Sequence, residues 1–582
     1  MRRILVISSL IVGLALIAVA GITGCSAMDM AGAACSSDGC PAGEVCDPGT
    51  QQCLPQAKAT PGLEVLPPSG NNQGWVAQEF AKPDVDPDGK IHLKLARAVS
   101  VEGGVYASND LTTVIPAQVV AWRDSLLEGR PKVQIEATTV AGKRDGNKQT
   151  YVLWLNPGHA YSFLVTPLPP FDALYPPLAV PAKTISDHLK KDFVLDGDDR
   201  AVKVTARVLQ YGGAKPLEVE TTEPPKYVDE KGNPFDASVR VRAYQSGGLR
   251  RSTTAETDPI TGEFSFKVPA GVETYNVKVE SATGGVPIPT LECRKVVLGL
   301  AQPTQSGPPV QTINDIQLPS FNIPQLYTVT VHGDDGTAEG APIKGAAVTF
   351  STEVKVVAQN AGFEGCTASY SRSGLTNAEG KVTLLLLPGT ATVREYAVTV
   401  VSPAESPYAS QWTTFEIGPP GFTKDIRLDE RYELSGQVVG EDTGEPLAGV
   451  SLEAHGVSPG TAAVKVPATS ATATTDKDGK YQLFVDPGIY NIDLRPPQNL
   501  GLPNIGMTAK VEGNVLGKQF VIPRPSVLLG QVRDPNGNPL STAKVQMYEL
   551  VPETEKPLTQ KAAVRASSVT DADGLFGLLL AK

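Results

Sequence analysis

The sequence predicts an all-β chain of tandem antiparallel β-sandwiches. Three observations predict it: a turn-rich composition, short stretches of strict apolar–polar alternation, and one segment that recurs five times. Of 582 residues, 56 are glycine and 49 proline, yet 41% are hydrophobic, enough for several small cores. At ~150 residues per domain, this length suits about four domains. Charged residues make up 19%, which excludes a disordered polyelectrolyte. The net charge is −11 and no basic tract exists, which argues against a nucleic-acid partner. Past the first 24 residues, only residues 184–193 read as helical.

The first element is an address. Arg2 and Arg3 precede an apolar stretch from Ile4 to Ile22, and Leu10 to Ala20 has no polar side chain. A basic start before a short apolar run reads as a secretory signal over residues 1–24. A membrane anchor is the rival, since about 20 apolar residues span a bilayer. Ile22-Thr23-Gly24-Cys25 decides between them, because it resembles the bacterial lipobox. That resemblance implies lipidation of Cys25 and cleavage before it. Ser26, by the same resemblance, implies sorting to the outer membrane of a diderm cell.

Six cysteines then remain, an even number in an oxidising compartment. Cys35, Cys40, Cys46 and Cys53 cluster within residues 25–55, too few residues for an apolar core. Two disulfides are the expected staple, with three possible connectivities. Zinc is disfavoured, because the paired CxxC spacing and histidines are missing. The module resembles small cysteine-rich knobs that follow the lipid in large bacterial surface lipoproteins. Residues 56–89, rich in Pro, Gly and Asn, read as a linker. Cys293 and Cys366 stand alone in neighbouring repeats and are candidates for a bridge between them.

The repeats follow. The clearest copy opens at Leu434-Ser-Gly-Gln-Val438 and continues with Val450, Leu452 and Ala454 on one face. It reaches a turn at Thr475-Asp-Lys-Asp-Gly479, then a strand with Tyr481, Leu483 and Val485 on one side, and Pro487-Gly488. Tyr490, Ile492 and Leu494 alternate after it. Period-two patterning of this kind marks half-buried strands. Matching stretches are Tyr151–Gly158, Gly262–Gly271, Gly380–Gly389 and Asp573–Leu580. Closing strands at Lys191–Leu195, Asn314–Leu318, Lys424–Leu428 and Lys518–Ile522 set the boundaries. The expected sandwiches are 90–197, 198–320, 321–429, 430–524 and 525–582.

The T-D-x-x-G-x-Y/F-x-L-x-V-x-P-G-x-Y pattern resembles the carboxypeptidase regulatory-like domain, a transthyretin-like sandwich. It also resembles starch-binding-like and Cna-B-type Ig-like sandwiches. The resemblance covers most of residues 90–582, most clearly 430–582. It implies fold, and is nearly silent on activity. A Cna-B-like Lys–Asn isopeptide bond is conceivable from it, with no pair assigned.

His92, His159, His188, His332 and His455 fall in no HxxE or HExxH, so no zinc peptidase is expected. His159 and His332 read as exposed loop positions. No GxSxG elbow exists. The expectation is a protein that is not an enzyme, with no catalytic residue and no cofactor. Asp84, Asp86 and Asp88 match the start of a DxDxDG calcium loop, but Leu95 stands where the bidentate Glu belongs. A solvated acidic linker is the preferred reading over weak calcium. Trp154 lies opposite the apolar face of its strand and is expected to be exposed, as is Trp75.

The functional expectation is an exported, lipid-anchored, non-enzymatic cell-envelope protein. It would extend as a rod and serve as a spacer or adhesion-like scaffold. Its partners would be the membrane, through its anchor, and envelope proteins or glycans. The alternative is a carbohydrate-binding surface lipoprotein, a reading that rests on the sandwich resemblance and on Trp154. Residues 525–582 lack the strands equivalent to Tyr490–Leu494 and Lys518–Ile522. They read as an incomplete sandwich, either cut from a longer array or completed by another chain.

Overall fold

The computed structural model describes residues 44–46, 53–55, 62–68, 75–87, 89–139, 142–143, 150–209, 239–245, 250–258, 261–282, 288–300, 309–319, 325–354, 356, 364–389, 394–418, 423–459, 469–554 and 559–581. Among these residues the regular structure is strand, with only two short 3₁₀ turns, Phe171–Ala173 and Gln498–Leu500.

The fourth sandwich shows why the sequence folds this way. In Lys480–Val485, Tyr481, Leu483 and Val485 are buried while Lys480, Gln482 and Phe484 face solvent. This strand pairs antiparallel with the opening strand Tyr432–Gly440, whose other edge takes Val515–Ile522 in parallel. The facing sheet runs Ala471–Thr474, Ser451–Pro459, Gly488–Arg495, Ile505–Val511. Leu434, Leu452, Tyr481, Tyr490, Ile492 and Phe520 fill the space between the two layers. Each fully buried side chain of this kind stabilises by about 1.5–3 kcal/mol.

The T-D-x-x-G motif is the hinge between layers, and every letter has a mechanical reason. Buried Thr475 accepts the Val450 N–H at 2.9 Å and donates to the Leu447 carbonyl at 2.6 Å. Asp476 accepts the N–H groups of Asp478 and Lys480 at 2.9 and 2.8 Å, closing the turn. Gly479 sits at φ 67°, and a Cβ there would lie 2.8 Å from the Val438 carbonyl oxygen. Thr376-Asn377-x-x-Gly380 and Thr570-Asp571-x-x-Gly574 repeat this arrangement.

The first four sandwiches share a parallel pair between the opening strand and a late strand. In the first, Phe193–Leu195 lies along Val105–Ala107. In the second, Val310–Thr312 and Ile316–Gln317 lie along Val202–Leu209. In the third, Thr423–Leu428 lies along Gln325–Gly333.

The fifth overturns the expected domain plan. Its opening strand Pro525–Arg533 pairs antiparallel with Leu575–Ala581 and parallel with Ile91–Lys94. The facing sheet runs Gln78–Phe80, Leu63–Leu66, Lys544–Thr554, Thr559–Val569. Compared with the fourth sandwich, Leu63–Leu66 replaces Gly488–Arg495, Gln78–Phe80 replaces Ile505–Val511, and Ile91–Lys94 replaces Val515–Ile522. The three strands absent from 525–582 are therefore supplied, in order, by residues 63–95 of the same chain.

Among its described residues, the expected linker over 56–89 thus carries three short strands, Leu63–Leu66, Gln78–Phe80 and Asp84–Val85, of a clasp. Neither a longer array nor another chain is needed to complete the fifth core. Leu63, Val65, Ile91, Leu93 and Leu95 are five of the fourteen buried residues of that core. The first sandwich correspondingly begins near Val99, not at residue 90, and its core runs from Val99 to Leu195.

Two further expectations change. Residues 184–193 are not helical: Leu178–Ile185 is a strand paired with His159–Pro167, and Leu189–Lys190 joins Val99–Gly103. The edge strand Leu178–Ile185 is mostly solvated, which erases the alternation that would have revealed it. The array is also not an open rod, because its last sandwich is built partly from the segment that precedes its first. The sandwiches join in a closed circuit.

Candidate functional site

The circuit closes where the clasp lies between the first and fifth sandwiches, and that closure is built around a cluster of buried charged groups. Glu79, on the clasp, accepts hydrogen bonds from Arg123 Nη1 and Arg130 Nη1, each at 2.8 Å. Ser125 Oγ and the Leu126 N–H complete its shell at 2.6 and 3.0 Å. The side chains of Glu79 and Arg123 are only 2% and 3% exposed. Burial alone would push the Glu79 carboxyl up; bonds from Ser125, Leu126 and Arg123, with the Arg123 charge, outweigh it and hold the carboxyl below its usual value.

The cluster continues into the fifth sandwich. Arg130 also reaches Glu64 at 3.0 Å and stacks 4.4 Å above the Tyr548 ring. Tyr548 donates its hydroxyl to Glu64 at 2.6 Å, and the Ala562 N–H donates to the Gly129 carbonyl at 2.8 Å. Two carboxylates thus face two guanidinium groups. Buried charge of this kind is tolerable because it is paired, although Arg123 Nε and Nη2 are buried without a hydrogen-bond partner among the described residues. The cluster's contacts join the clasp and the first sandwich to the fifth.

Every other junction is tied as well. Between the first and second sandwiches, Lys267 donates to the Leu174 carbonyl at 3.1 Å and the Ala270 N–H donates to Asp196 at 2.9 Å. The second and third share an eight-stranded sheet through Thr290–Leu298 and Glu364–Leu375. Cys293 and Cys366 form a disulfide across that seam, as the sequence suggested. At the third–fourth junction, buried Arg431 donates to the carbonyls of Pro403, Ala404 and Ser406 and pairs with Asp486 at 3.0 Å. At the fourth–fifth junction, Arg565 pairs with Asp493 and with Glu549. Gly506 lets that guanidinium approach, since a Cβ there would collide with it.

The residues singled out from sequence fall elsewhere. Cys25, Cys35 and Cys40 lie outside the described residues. Cys53 is buried and disulfide-bonded, and Cys46 stands opposite it in the strand pair Glu44–Cys46 and Cys53–Pro55. Asp88 also lies outside the described residues. Asp84 is solvent-exposed, and Asp86 accepts the Lys90 N–H at 2.7 Å within a hairpin turn completed by Gly89 at φ 79°. The acidic motif is therefore the repeat's own D-x-x-G turn rather than a solvated linker. Among the described residues no three His, Cys, Asp or Glu side chains converge as metal ligands.

His159 and His332 lie in strands and are partly buried, not on exposed loops. Burial, then the Arg123 charge, lowers the His159 pKa. Trp75 packs against the fifth core instead of standing free. Trp154 is 42% exposed, with His188 edge-on at 6.2 Å. Sequence reading missed Glu64, Glu79, Arg123, Arg130, Arg431 and Arg565. A charged residue destined for burial carries no local mark, because its partner comes from another sandwich.

No protein-family model matches the chain, and no curated protein matches it. Among solved structures it is similar to a streptococcal ancillary pilin, at 12% identity over 56% of this chain and 99% of that one, with a TM-score of 0.20. It is also similar to the minor pilin GBS52 of Streptococcus agalactiae, at 16% identity over 34% of this chain and 96% of that one, with a TM-score of 0.20. The Bacillus anthracis TIE protein matches at 11% identity over 73% of this chain and 74% of its own, with a TM-score of 0.16. The fold class, tandem all-β sandwiches, rests on the strand order and cores above rather than on these overlays.

Proposed function

We propose that the protein is an exported, lipid-anchored scaffold of the cell envelope whose work is mechanical. The observation that carries this reading is the closed circuit itself: the best-placed charged groups are consumed in joining sandwiches. The Cys293–Cys366 disulfide supports an oxidising compartment. The lipobox-like Ile22–Cys25 supports anchoring, and the acyl chains of a mature lipoprotein would hold firmly. A membrane, through that lipid, is the first partner. Envelope proteins contacting the sandwich loops are the second. Cys25→Ser should abolish acyl labelling and release the protein from the membrane fraction. Unchanged labelling of that variant would refute the anchor.

A second reading, glycan binding, has one specific observation in its favour. Trp154 presents its indole beside His188, whose Nδ1 accepts the Ser100 N–H at 3.0 Å. In neutral His188 this fixes the proton on Nε2, placing an N–H donor beside an aromatic plate. Glycan-array binding by the full chain should then be lost on Trp154→Ala with thermal stability preserved. Binding that survives the substitution rejects this site.

A further inference from the structure

The clasp is bonded to the first sandwich as well as to the socket it fills. Glu79 pairs with Arg123, Asn156 Nδ2 donates to the Ala77 carbonyl at 2.7 Å, and the Gln78 amide bridges both backbone groups of Ala96. All of these bonds lie on one side of the chain's route out to the second sandwich. The first sandwich and the clasp bonded to it therefore act together as a plug.

The socket is the fifth sandwich without the clasp. It offers Leu528, Val532, Phe576 and Leu578 as an apolar floor, with one open edge on Pro525–Arg533 and another on Lys544–Thr554. Plug and socket belong to different surfaces of the molecule, so their interface is heterologous. Such an interface closes into a ring when the intervening rotations allow it and propagates between copies when they do not.

We infer that the socket is a self-assembly site whose second occupant is the clasp of another copy of this chain. Nothing in its contacts reads which copy the clasp comes from: the same strand register and the same Arg130–Glu64–Tyr548 contacts form either way. Closure within one chain prevails while the four intermediate junctions hold their angles, because the effective concentration of the chain's own clasp is then high. When a junction loosens, plug and socket both expose apolar surface and unpaired strand edges. A second copy satisfies both. The inference goes beyond the scaffold reading and does not depend on the lipid.

The test uses full-length chains in a Cys25→Ser background. Lys94 and Arg533 are cross-strand partners at the clasp, so Lys94→Cys and Arg533→Cys report its docking. In one chain carrying both, an intramolecular disulfide should form; failure to form it overturns the plug-and-socket geometry. Two differently sized chains, each carrying one of the two introduced cysteines, are then mixed, at rest and after brief opening in mild denaturant. A parallel mixture carries Arg431→Leu to loosen the third–fourth junction. Trans-linked product should rise with protein concentration, increase several-fold after opening, and stay at background when Lys344→Cys replaces Lys94→Cys. Cis linkage with no trans product above that background under any of these conditions overturns the proposal.

Discussion

Replacing Leu93 with aspartate should unfold the fifth sandwich and leave the fourth folded. Leu93 is fully buried in a core it shares with Leu528, Val532, Phe576 and Leu578. Truncating a buried leucine to alanine costs about 2–5 kcal/mol, and a carboxylate adds a desolvation penalty with no partner in reach. Domain stabilities are only about 5–15 kcal/mol, so the sandwich should lose its cooperative transition. Hydrogen exchange reads the result by region. Protection should collapse over 525–581 and 63–66, although these lie at opposite ends of the sequence, and persist over 432–522. Retained protection in 525–581 would mean that the clasp is not part of that core.

Breaking the Glu79–Arg123 pair from one side should be the next most damaging change. Arg123→Met leaves the Glu79 carboxylate buried with one of its two guanidinium partners removed, a loss of up to about 3–5 kcal/mol for a buried pair. Replacing both residues with apolar ones of similar size should recover much of that loss, because no charge is then left uncompensated. A double variant as unstable as Arg123→Met would overturn this account. The pair also gives the closure a pH signature. The Glu79 carboxyl lies below its usual value in the folded state, so it contributes stability fully present above the ordinary carboxylate pKa. That contribution is lost as pH falls through the lowered value. In Glu79→Gln the acid-side slope of stability assigned to this group should disappear; an unchanged slope would place the titration elsewhere.

The repeat was legible because its determinants are local. Tyr481, Leu483 and Val485 alternate with polar residues on one half-buried strand, and Thr475, Asp476 and Gly479 complete a turn within a few residues. The pairing of Cys293 with Cys366 was accessible for another reason: they were the two cysteines left outside the knob. Ile91, Leu93 and Leu95 also alternate visibly, but were assigned to the sandwich that follows them. Leu63–Leu66 was hidden outright, since buried Glu64 interrupts its apolar run and makes the segment read as linker.

By itself, then, the sequence determined the strand-and-turn unit, its repetition and its sandwich class. Those follow from period-two burial and from side chains bonding to nearby backbone. Only the tertiary structure decided which strands complete the fifth sandwich, that the array closes, and which charges are buried at the junctions. The partners in those cases are as distant in sequence as Glu64 and Tyr548. A contact of that kind leaves no periodicity in either segment, and whether a charge is buried or solvated depends on the sandwich that arrives beside it.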